Sequence, residues 1–272
     1  MWSRAGVFEI QDVLTRSQQS AAEATAFIGA GHAVAGLADM RQADVWLIAT
    51  RDDAIRTSCD TLAATDKLTP DDIVFHVSGA TPSSALGSAA ARGALTASVH
   101  PIKTFPDAEL AVQRFPGTYC GAEGHPDALR VLKPAFESIG ATVFEIAPEL
   151  KPIYHAGGVF SCNYLAALIE TAVCAHERAG IPRAASLKAL EPFVRETVDA
   201  IFDKGPARAL TGPIARGDVA TVGRQLAALE DWDAGIAMLY RGLGLVAVAL
   251  AESDGRIDAR RVAELRQALG RV

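Results

Sequence analysis

Segments of strand length alternate with helical patterns along the first half of the chain. Apolar-rich segments predict strands over residues 7–15, 44–50, 72–80, 96–102 and 141–147, with a further strand near 117–124. Apolar positions three and four residues apart predict helices between them, over residues 18–28, 52–64, 82–93 and 127–140. Strands that are apolar on both faces and alternate with helices are typical of an α/β fold with a doubly wound, mostly parallel sheet.

The pattern changes after Pro148. From residue 153 onward the sequence contains no convincing strand, and it predicts helices over residues 154–179, 186–205, 218–232, 236–253 and 258–272. We therefore predict two domains, residues 1–150 with the sheet and residues 151–272 with helices alone. Residues 242–251 are apolar around the whole helix circumference, so they must be buried inside the helical domain or in a subunit interface. The second solution would make the protein a homodimer.

Composition narrows the class of protein. The 272 residues are 50% hydrophobic and 21% charged, which is usual for a soluble globular protein. A net charge of −6 without long Lys/Arg runs argues against nucleic acid or an anionic membrane as partner. The apolar run 242–251 has half the length of a membrane span, and the four cysteines are far apart. We expect a cytoplasmic protein with reduced thiols and no metal site.

A glycine motif at residues 28–36, IGAGHAVAG, is similar to a dinucleotide-binding fingerprint. The fingerprint needs a strand before it, a helix after it, and a third glycine where this chain has Val34. Since the preceding segment is helical, we interpret Gly29 as the end of a helix and Gly31 as a turn residue with positive φ.

The segment VLTRS, residues 13–17, has a more informative pattern. Residues that end the second strand of a dinucleotide-binding fold meet the adenosine ribose, and an arginine there favours the 2′-phosphate of NADP. Thr15, Arg16 and Ser17 are therefore candidate NADP-binding residues. The alternative is that Ser17 only caps the following helix beside a solvated Arg16.

If residues 7–15 are the second strand of such a fold, a first strand, a glycine loop and a helix should precede them. These elements need roughly 20–25 residues, whereas only residues 1–6 precede the strand. We therefore expect a sheet without its central first strand, and NADPH binding no tighter than high micromolar.

Taken together, these segments resemble the Rossmann-like NADP-dependent oxidoreductases whose second half is a helical domain of unknown function. That group is distantly similar to pyrroline-5-carboxylate reductase, prephenate dehydrogenase and β-hydroxyacid dehydrogenases. The resemblance covers the whole chain, and its other segments are FIGAG (27–31), ADVWLIATRDDAI (43–55), HVSGA (76–80), SVHPIKTF (98–105), KPIYHAGGVFSCNYL (151–165) and ALTGPIARGD (209–218). It implies hydride transfer from NADPH to a small carbonyl or imine substrate. The alternative is a degenerate, non-catalytic member that binds a small ligand or a partner.

Loops that follow the strands supply the other candidate cofactor contacts, because ligands of such folds lie beyond the strand carboxyl ends. These residues are Ala49, Thr50, Asp52, Ser78 and Gly79. Asp52 is also suited to a helix N-terminus, and Gly79 to a tight turn.

Candidate catalytic residues come from two segments, and they are His100, Lys151, His155 and Asn163. His100 ends a strand and could donate the proton that hydride transfer requires, or it could be a buried histidine bonded to backbone. His155 and Asn163 share a helix face but are about 12 Å apart along its axis, so at most one is catalytic.

The segment ALTGPIARGD supplies two candidate substrate-binding residues, Thr211 and Arg216. Arg216 could hold a substrate carboxylate. Alternatively, Asp218 caps the next helix and pairs with Arg216.

Overall fold

The computed structural model describes residues 1–105 and 107–270. The chain forms two compact units, Met1–Asn163 and Tyr164–Val272. This boundary lies later than the one predicted at residue 150. The reason is that the helix beginning at Lys151 places its first side chains against the sheet of the first unit.

The strands of the first unit form two sheets. They are β1 (Asp12–Val13), β2 (His32–Ala33), β3 (Val45–Ile48), β4 (Ile73–His76), β5 (Leu95–Pro101), β6 (Tyr119–Gly124) and β7 (Thr142–Glu145). β1 and β2 form a parallel pair, and the other five form a sheet in the order β3-β4-β5-β6-β7. Every pair in the larger sheet is parallel except β5 with β6. The predicted mostly parallel α/β architecture is confirmed.

Helices connect these strands. They are α1 (Gln18–Ile28), α2 (Ile55–Ala63), α3 (Gly87–Ala90), α4 (Ala108–Gln113), α5 (Pro126–Glu137) and α6 (Lys151–Gly158), and α6 is followed by a π-helical segment, Val159–Asn163. The sequence analysis missed α4, which is short and begins with Asp107 as its N-cap. Of the other helices of this unit, α1, α2 and α3 fall within predicted segments, α5 begins one residue before its predicted segment, and α6 begins three residues before the predicted start at residue 154.

The glycine motif after α1 is a turn, as predicted. Gly29 ends α1 with φ 73°, and Gly31 has φ 88°. A helix precedes the motif and β2 follows it. This order is opposite to that of a dinucleotide fingerprint, so these glycines do not form one.

The two sheets are separate. Among the described residues, β1 pairs only with β2, and the β3 edge of the larger sheet has no strand beside it. β1 is also much shorter than the strand predicted over residues 7–15, since a single neighbouring strand supports it.

The two faces of the larger sheet differ in chemistry. One face is apolar and packs on α5, with Phe75, Val99 and Ala122 among its buried residues. Side chains alternate between faces along a strand, so the neighbours His76 and Ser98 belong to the opposite face. The second face also packs apolar residues, Trp46 and Val74 among them, against α2 and α3, and it carries the buried polar groups His76, Ser98 and Glu123.

The second unit is helical throughout its described residues. Its helices are α7 (Tyr164–Arg178), α8 (Arg183–Lys204), α9 (Pro206–Ala209), α10 (Gly212–Ala215), α11 (Val219–Glu230), α12 (Ala234–Ser253) and α13 (Ala259–Leu269). A core of α11, α12 and α13 side chains includes Val222, Val248 and Leu265.

Helix α12 is not buried on all sides within the chain. Met238 is 69% exposed and Val246 is 60% exposed. The sequence left two alternatives for this apolar helix, burial inside the helical domain or burial in a subunit interface. The single chain does not bury the helix completely, so the first alternative is wrong for the single chain. Pro148–Arg178 and Ala234–Ser253 are long and apolar enough to cross a bilayer by length and composition, a criterion that core helices of soluble proteins also meet.

Candidate functional site

A row of buried polar side chains crosses the second face of the sheet. In the strand register, Ser98 of β5 lies between His76 of β4 and Glu123 of β6. All three are buried. Because side chains at one register level share a face, the sheet itself brings these three groups together.

Lys151, the first residue of α6, inserts into this row. Its ammonium donates to the Ser98 hydroxyl at 2.5 Å and lies 3.3 Å from Glu123 Oε1. The Glu123 carboxylate also accepts the Ser83 N–H at 2.8 Å and the Ser83 hydroxyl at 2.6 Å. The buried pair therefore has the additional hydrogen bonds that buried charges require.

Burial decides what Lys151 can do. It is 0% exposed, so it touches no solvent from which a ligand could approach. Burial also lowers the pKa of Lys151, and the Glu123 carboxylate opposes that change. Lys151, predicted as a catalytic residue, is buried at the start of α6 with its ammonium on Ser98 and Glu123.

His76 is a neutral histidine bonded to its surroundings. The Ser78 N–H donates to His76 Nδ1 at 3.2 Å, and Nε2 lies 3.4 Å from the Pro82 carbonyl oxygen. Burial, followed by the charge of Lys151, lowers the pKa of His76 to about 4. With Nδ1 accepting, the proton belongs on Nε2.

His100 and Tyr154 form a hydrogen-bonded pair nearer the surface. His100 Nδ1 lies 3.0 Å from the Tyr154 hydroxyl oxygen, and both side chains are partly buried. Burial, followed by the neighbouring His155, lowers the pKa of His100 to about 4, and burial raises that of Tyr154 to about 12. At neutral pH the imidazole is therefore uncharged and the phenol keeps its proton.

His155 completes a cluster of three side chains. Its ring centroid lies 5.8 Å from that of His100. A Cβ atom on Gly79 would lie 2.8 Å from His100 Cε1 and Nε2 and would overlap His155 Cδ2. Gly79 was predicted as a cofactor contact, but the structure shows that its missing side chain makes room for the two histidines.

The cluster lies beyond the carboxyl ends of parallel strands. His100 is near the end of β5, and Ser78 and Gly79 follow β4. Asp52 follows β3, and its negative charge acts on His100 against the effect of burial. Ligands of open α/β sheets bind in this position, so the structure brings together the predicted residues of β3, β4, β5 and α6.

The loop after β3 also contains Ala49 and Thr50, both exposed. The Thr50 hydroxyl donates to the Arg51 carbonyl at 3.3 Å. Asp52 begins a 3-10 turn, Asp52–Ala54, ahead of α2, which fits the alternative of a helix N-terminal acid.

The candidate residues for the adenosine ribose lie on the smaller sheet. Ser17 caps α1 and accepts the Ser20 N–H at 3.2 Å, while the Thr15 hydroxyl donates to the Ser17 carbonyl at 2.9 Å. Arg16 is exposed and has no ion-pair partner in the part of the chain that the structure describes. Capping of α1 is thus confirmed, and it leaves the Arg16 guanidinium and the helix N-terminus available to an anion.

Three predicted residues lie on later elements of the chain. Asn163 is exposed at the end of the π-helical segment. Thr211 and Arg216 flank α10 in the second unit, and Asp218 caps α11 by accepting the Thr221 N–H at 3.0 Å. The predicted cap is present, although no Arg216–Asp218 ion pair occurs in the described residues.

Five residues of this region were not predicted as site residues: His76, Ser83, Ser98, Glu123 and Tyr154. One signal for Glu123 was available, because a lone carboxylate interrupts the otherwise uncharged strand YCGAEG. A charge inside a buried strand needs a partner. That the partner of Glu123 is Lys151 follows only from the three-dimensional placement of α6.

Comparisons with known proteins agree with this architecture. Residues 118–246 match a family described as Domain of unknown function (DUF2520). No curated protein sequence matches the chain.

Several solved structures share the fold. A Thermotoga maritima protein is 23% identical with a TM-score of 0.76, over 93% of this chain and 96% of that one. A Bacteroides fragilis protein provisionally assigned as an NADP oxidoreductase is 20% identical with a TM-score of 0.69, over 91% and 90% of the two chains. An imine reductase from Myxococcus stipitatus in complex with NADP+ is 14% identical with a TM-score of 0.59, over 97% and 94%. The predicted resemblance is confirmed: the chain has the Rossmann-like fold of this group of oxidoreductases, followed by a helical region.

Proposed function

We propose that the protein is an NADP-dependent reductase of a small carbonyl or imine substrate. One observation carries the proposal, namely the cluster of His100, Tyr154 and His155 beyond the carboxyl ends of β4 and β5. A fold shared with NADP oxidoreductases supports it.

NADPH, when bound, would supply a hydride, and the proposed reaction then needs a proton at the substrate oxygen or nitrogen. The Tyr154 hydroxyl oxygen lies 3.0 Å from His100 Nδ1 and 3.4 Å from the His100 carbonyl oxygen. In the proposed state the hydroxyl donates to Nδ1, so that the imidazole proton is on Nε2, the edge that faces Gly79. Nε2–H donates to the substrate heteroatom and transfers its proton as negative charge develops there. The Tyr154 proton moves to Nδ1 in the same step. It returns to the phenolate when a solvent proton is taken up at Nε2, and both groups then regain their starting protonation.

The neutral state of His100 suits this role. A neutral imidazole can donate a hydrogen bond to a carbonyl group without adding a positive charge to a partly buried site. Lys151 has a positioning role, since it holds the start of α6 against Glu123 and Ser98 and so sets the position of Tyr154, three residues later. His155 closes the cluster on the side of Gly79.

The residues of this chain fit one end of NADP. Arg16 carries an exposed guanidinium with no carboxylate partner in the described residues, beside the N-terminus of α1. A guanidinium can hold the 2′-phosphate through two hydrogen bonds, and the Ser17 hydroxyl can add another. Thr50 and Ser78 follow strands of the larger sheet, where such folds hold the rest of a dinucleotide.

One observation favours a second candidate, a non-catalytic protein that binds a small ligand or a partner. Arg16 belongs to the smaller sheet and His100 to the larger, and these sheets share no strand in the described residues. A dinucleotide would have to bridge them. Binding and turnover therefore have to be measured separately.

Binding is tested by calorimetric titration of the protein with NADPH and with NADH. We expect a preference for NADPH, and Arg16→Ala should weaken its binding by about 1.5–3 kcal/mol, the range for hydrogen bonds to charged groups. Arg92→Ala, which removes an exposed arginine at the end of α3, is the matched control. Equal affinity for both nucleotides would contradict the assignment of Arg16.

Turnover is tested by following NADPH consumption with a panel of 2-keto acids and cyclic imines. His100→Asn and Tyr154→Phe should lower kcat by about 10²–10⁴-fold, as for loss of a general acid, while NADPH affinity is unchanged. Nucleotide binding without turnover of any panel member would favour the non-catalytic candidate. Full activity of His100→Asn would exclude the proposed proton donor.

A further inference from the structure

A cavity opens on the same face of the sheet as α6, beside the cluster of His100, Tyr154 and His155. It has a volume of about 460 Å³, which is in the range of small-molecule sites. Its walls include Ile102, Lys103, Arg114, Thr118, Tyr119 and Phe144. None of these residues belongs to the site described above.

The sheet register explains why the cavity has an apolar floor. Phe144 pairs with Gly121, against which Tyr154 packs, so Phe144 lies on the same face as α6. Tyr119 is two residues before Gly121 and shares that face. α6 does not cover this end of the sheet, and Ile102, Tyr119 and Phe144 are 46%, 57% and 37% exposed. A group of exposed large apolar side chains in a concave surface indicates a binding site.

Two cations border the same cavity. Neither the Lys103 nor the Arg114 side chain has an ion-pair or hydrogen-bond partner in the described part of the chain. In contrast, Lys133 and Arg130 of the neighbouring α5 are both paired with carboxylates. The cavity therefore combines an apolar floor with two free positive charges at its rim.

We propose that this cavity binds a small organic carboxylate with an aromatic or otherwise apolar body. The body would lie on Tyr119 and Phe144, and the carboxylate would accept hydrogen bonds from Lys103 and Arg114. A purely inorganic anion would leave the floor exposed, and a neutral apolar molecule would leave the cations unpaired. The inference depends on this sheet face alone and holds whether or not the protein is a reductase.

The cavity is close to the proposed catalytic cluster. The Phe144 ring lies 6.1 Å from that of Tyr154, which is hydrogen-bonded to His100. A bound ligand would contact Phe144 and could change the packing of Tyr154. Binding of the carboxylate in the cavity can nonetheless be measured in the absence of nucleotide and without enzymatic turnover.

Ligand-observed NMR titration of the full chain with 3-phenylpropionate, and with its neutral amide as the comparison, tests the proposal. We expect the carboxylate to bind at least tenfold more tightly than the amide. The double variant Lys103→Gln, Arg114→Gln should lose that difference. Lys67→Gln, Arg92→Gln makes the same change of charge at two other unpaired positions and should keep it.

Three results would overturn the inference. The first is equal binding of acid and amide, and the second is unchanged binding by the double variant with a native circular dichroism spectrum. The third is a change of oligomeric state in Tyr119→Ser, Phe144→Ser, measured by light scattering, since it would show that a second copy of the chain covers this face. Because the two cations make no contacts that folding needs, their replacement should leave the melting temperature unchanged.

Discussion

Replacing Lys151 by Met tests whether the buried ion pair is a structural anchor. The variant keeps the shape of the side chain and removes its charge, leaving the Glu123 carboxylate buried with only its two bonds from Ser83. At 3.3 Å the lost attraction is about 5 kcal/mol for an effective dielectric constant of 20. The variant also avoids the cost of desolvating the ammonium group, which offsets part of this lost attraction. We therefore expect the free energy of unfolding to fall by about 3 kcal/mol, the lower end of the range for breaking a buried pair.

The double variant separates a pair from two independent residues. Glu123→Gln retains a side chain that can bond Ser83 but has no charge, so combining it with Lys151→Met leaves no uncompensated ion. The double variant should be more stable than the sum of the two single changes predicts, by about 2–3 kcal/mol. Lys133→Met is the matched control, because Lys133 pairs with Glu145 on the surface at 2.8 Å. It should lower the stability far less than Lys151→Met does.

Urea unfolding followed by tryptophan fluorescence measures these changes in the first unit. Trp2 and Trp46 lie in that unit, whereas Trp232 lies in the second, so the series is made in a Trp232→Phe background. A loss below about 0.5 kcal/mol for Lys151→Met would refute the anchor. Strict additivity of the two single changes would refute the coupling.

Three further outcomes are expected. The pKa of His76 in the folded protein is about 4, below its usual 6.5, so the unfolded chain binds more protons between these pH values. The free energy of unfolding should therefore fall by about 3 kcal/mol from pH 6.5 to 4. An equal fall in His76→Gln would contradict this origin. Gly79→Ala should cost about 1–3 kcal/mol and shift the NMR signals of the His100 and His155 rings, because its Cβ has no space, whereas Gly87→Ala, with open space, should do neither. Helix α12 leaves Met238 and Val246 exposed, so we propose a homodimer through the second unit, and light scattering should give about twice 28.5 kDa; a monomer at micromolar concentration would count against it.

Local sequence signals sufficed for elements whose environment is uniform. β4 is buried on both faces, and its continuous apolar run was visible directly. β3 has the same kind of apolar run, although Leu47 on one of its faces is 44% exposed. α1 begins after the capping residue Ser17 and ends at Gly29, as the sequence indicates. For such elements the neighbouring chain adds little information.

Elements that depend on distant partners were predicted less well. β6 runs antiparallel to β5, and nothing in the β6 sequence itself specifies the direction of the strand. β1 extends over two residues only, since its pairing with β2 ends there. α4 is too short for a helical period to be recognised.

The candidate site shows the same division. His100 was identifiable because it ends a strand just before a proline. The pairing of Lys151 with Glu123 was not, because it requires the register of β6 against β5. A slip of one residue would move Glu123 to the apolar face of the sheet, so no local pattern could reveal this contact.

That register also explains how the buried ion pair and the surface cluster are connected. On β6, Gly121 and Glu123 both face α6 and are two residues apart, a spacing of about 6.6 Å. On α6, Tyr154 comes three residues after Lys151, which is about 4.5 Å along the helix axis. With Lys151 fixed on Glu123, Tyr154 therefore falls on Gly121, where a Cβ atom would lie 2.6 Å from the phenol oxygen. Because residue 121 is glycine, the Tyr154 phenol can approach the β6 backbone closely enough for its hydroxyl to reach Nδ1 of His100. The deep salt bridge thus determines the height and rotation of the helix, and the proposed proton donor is oriented as a consequence.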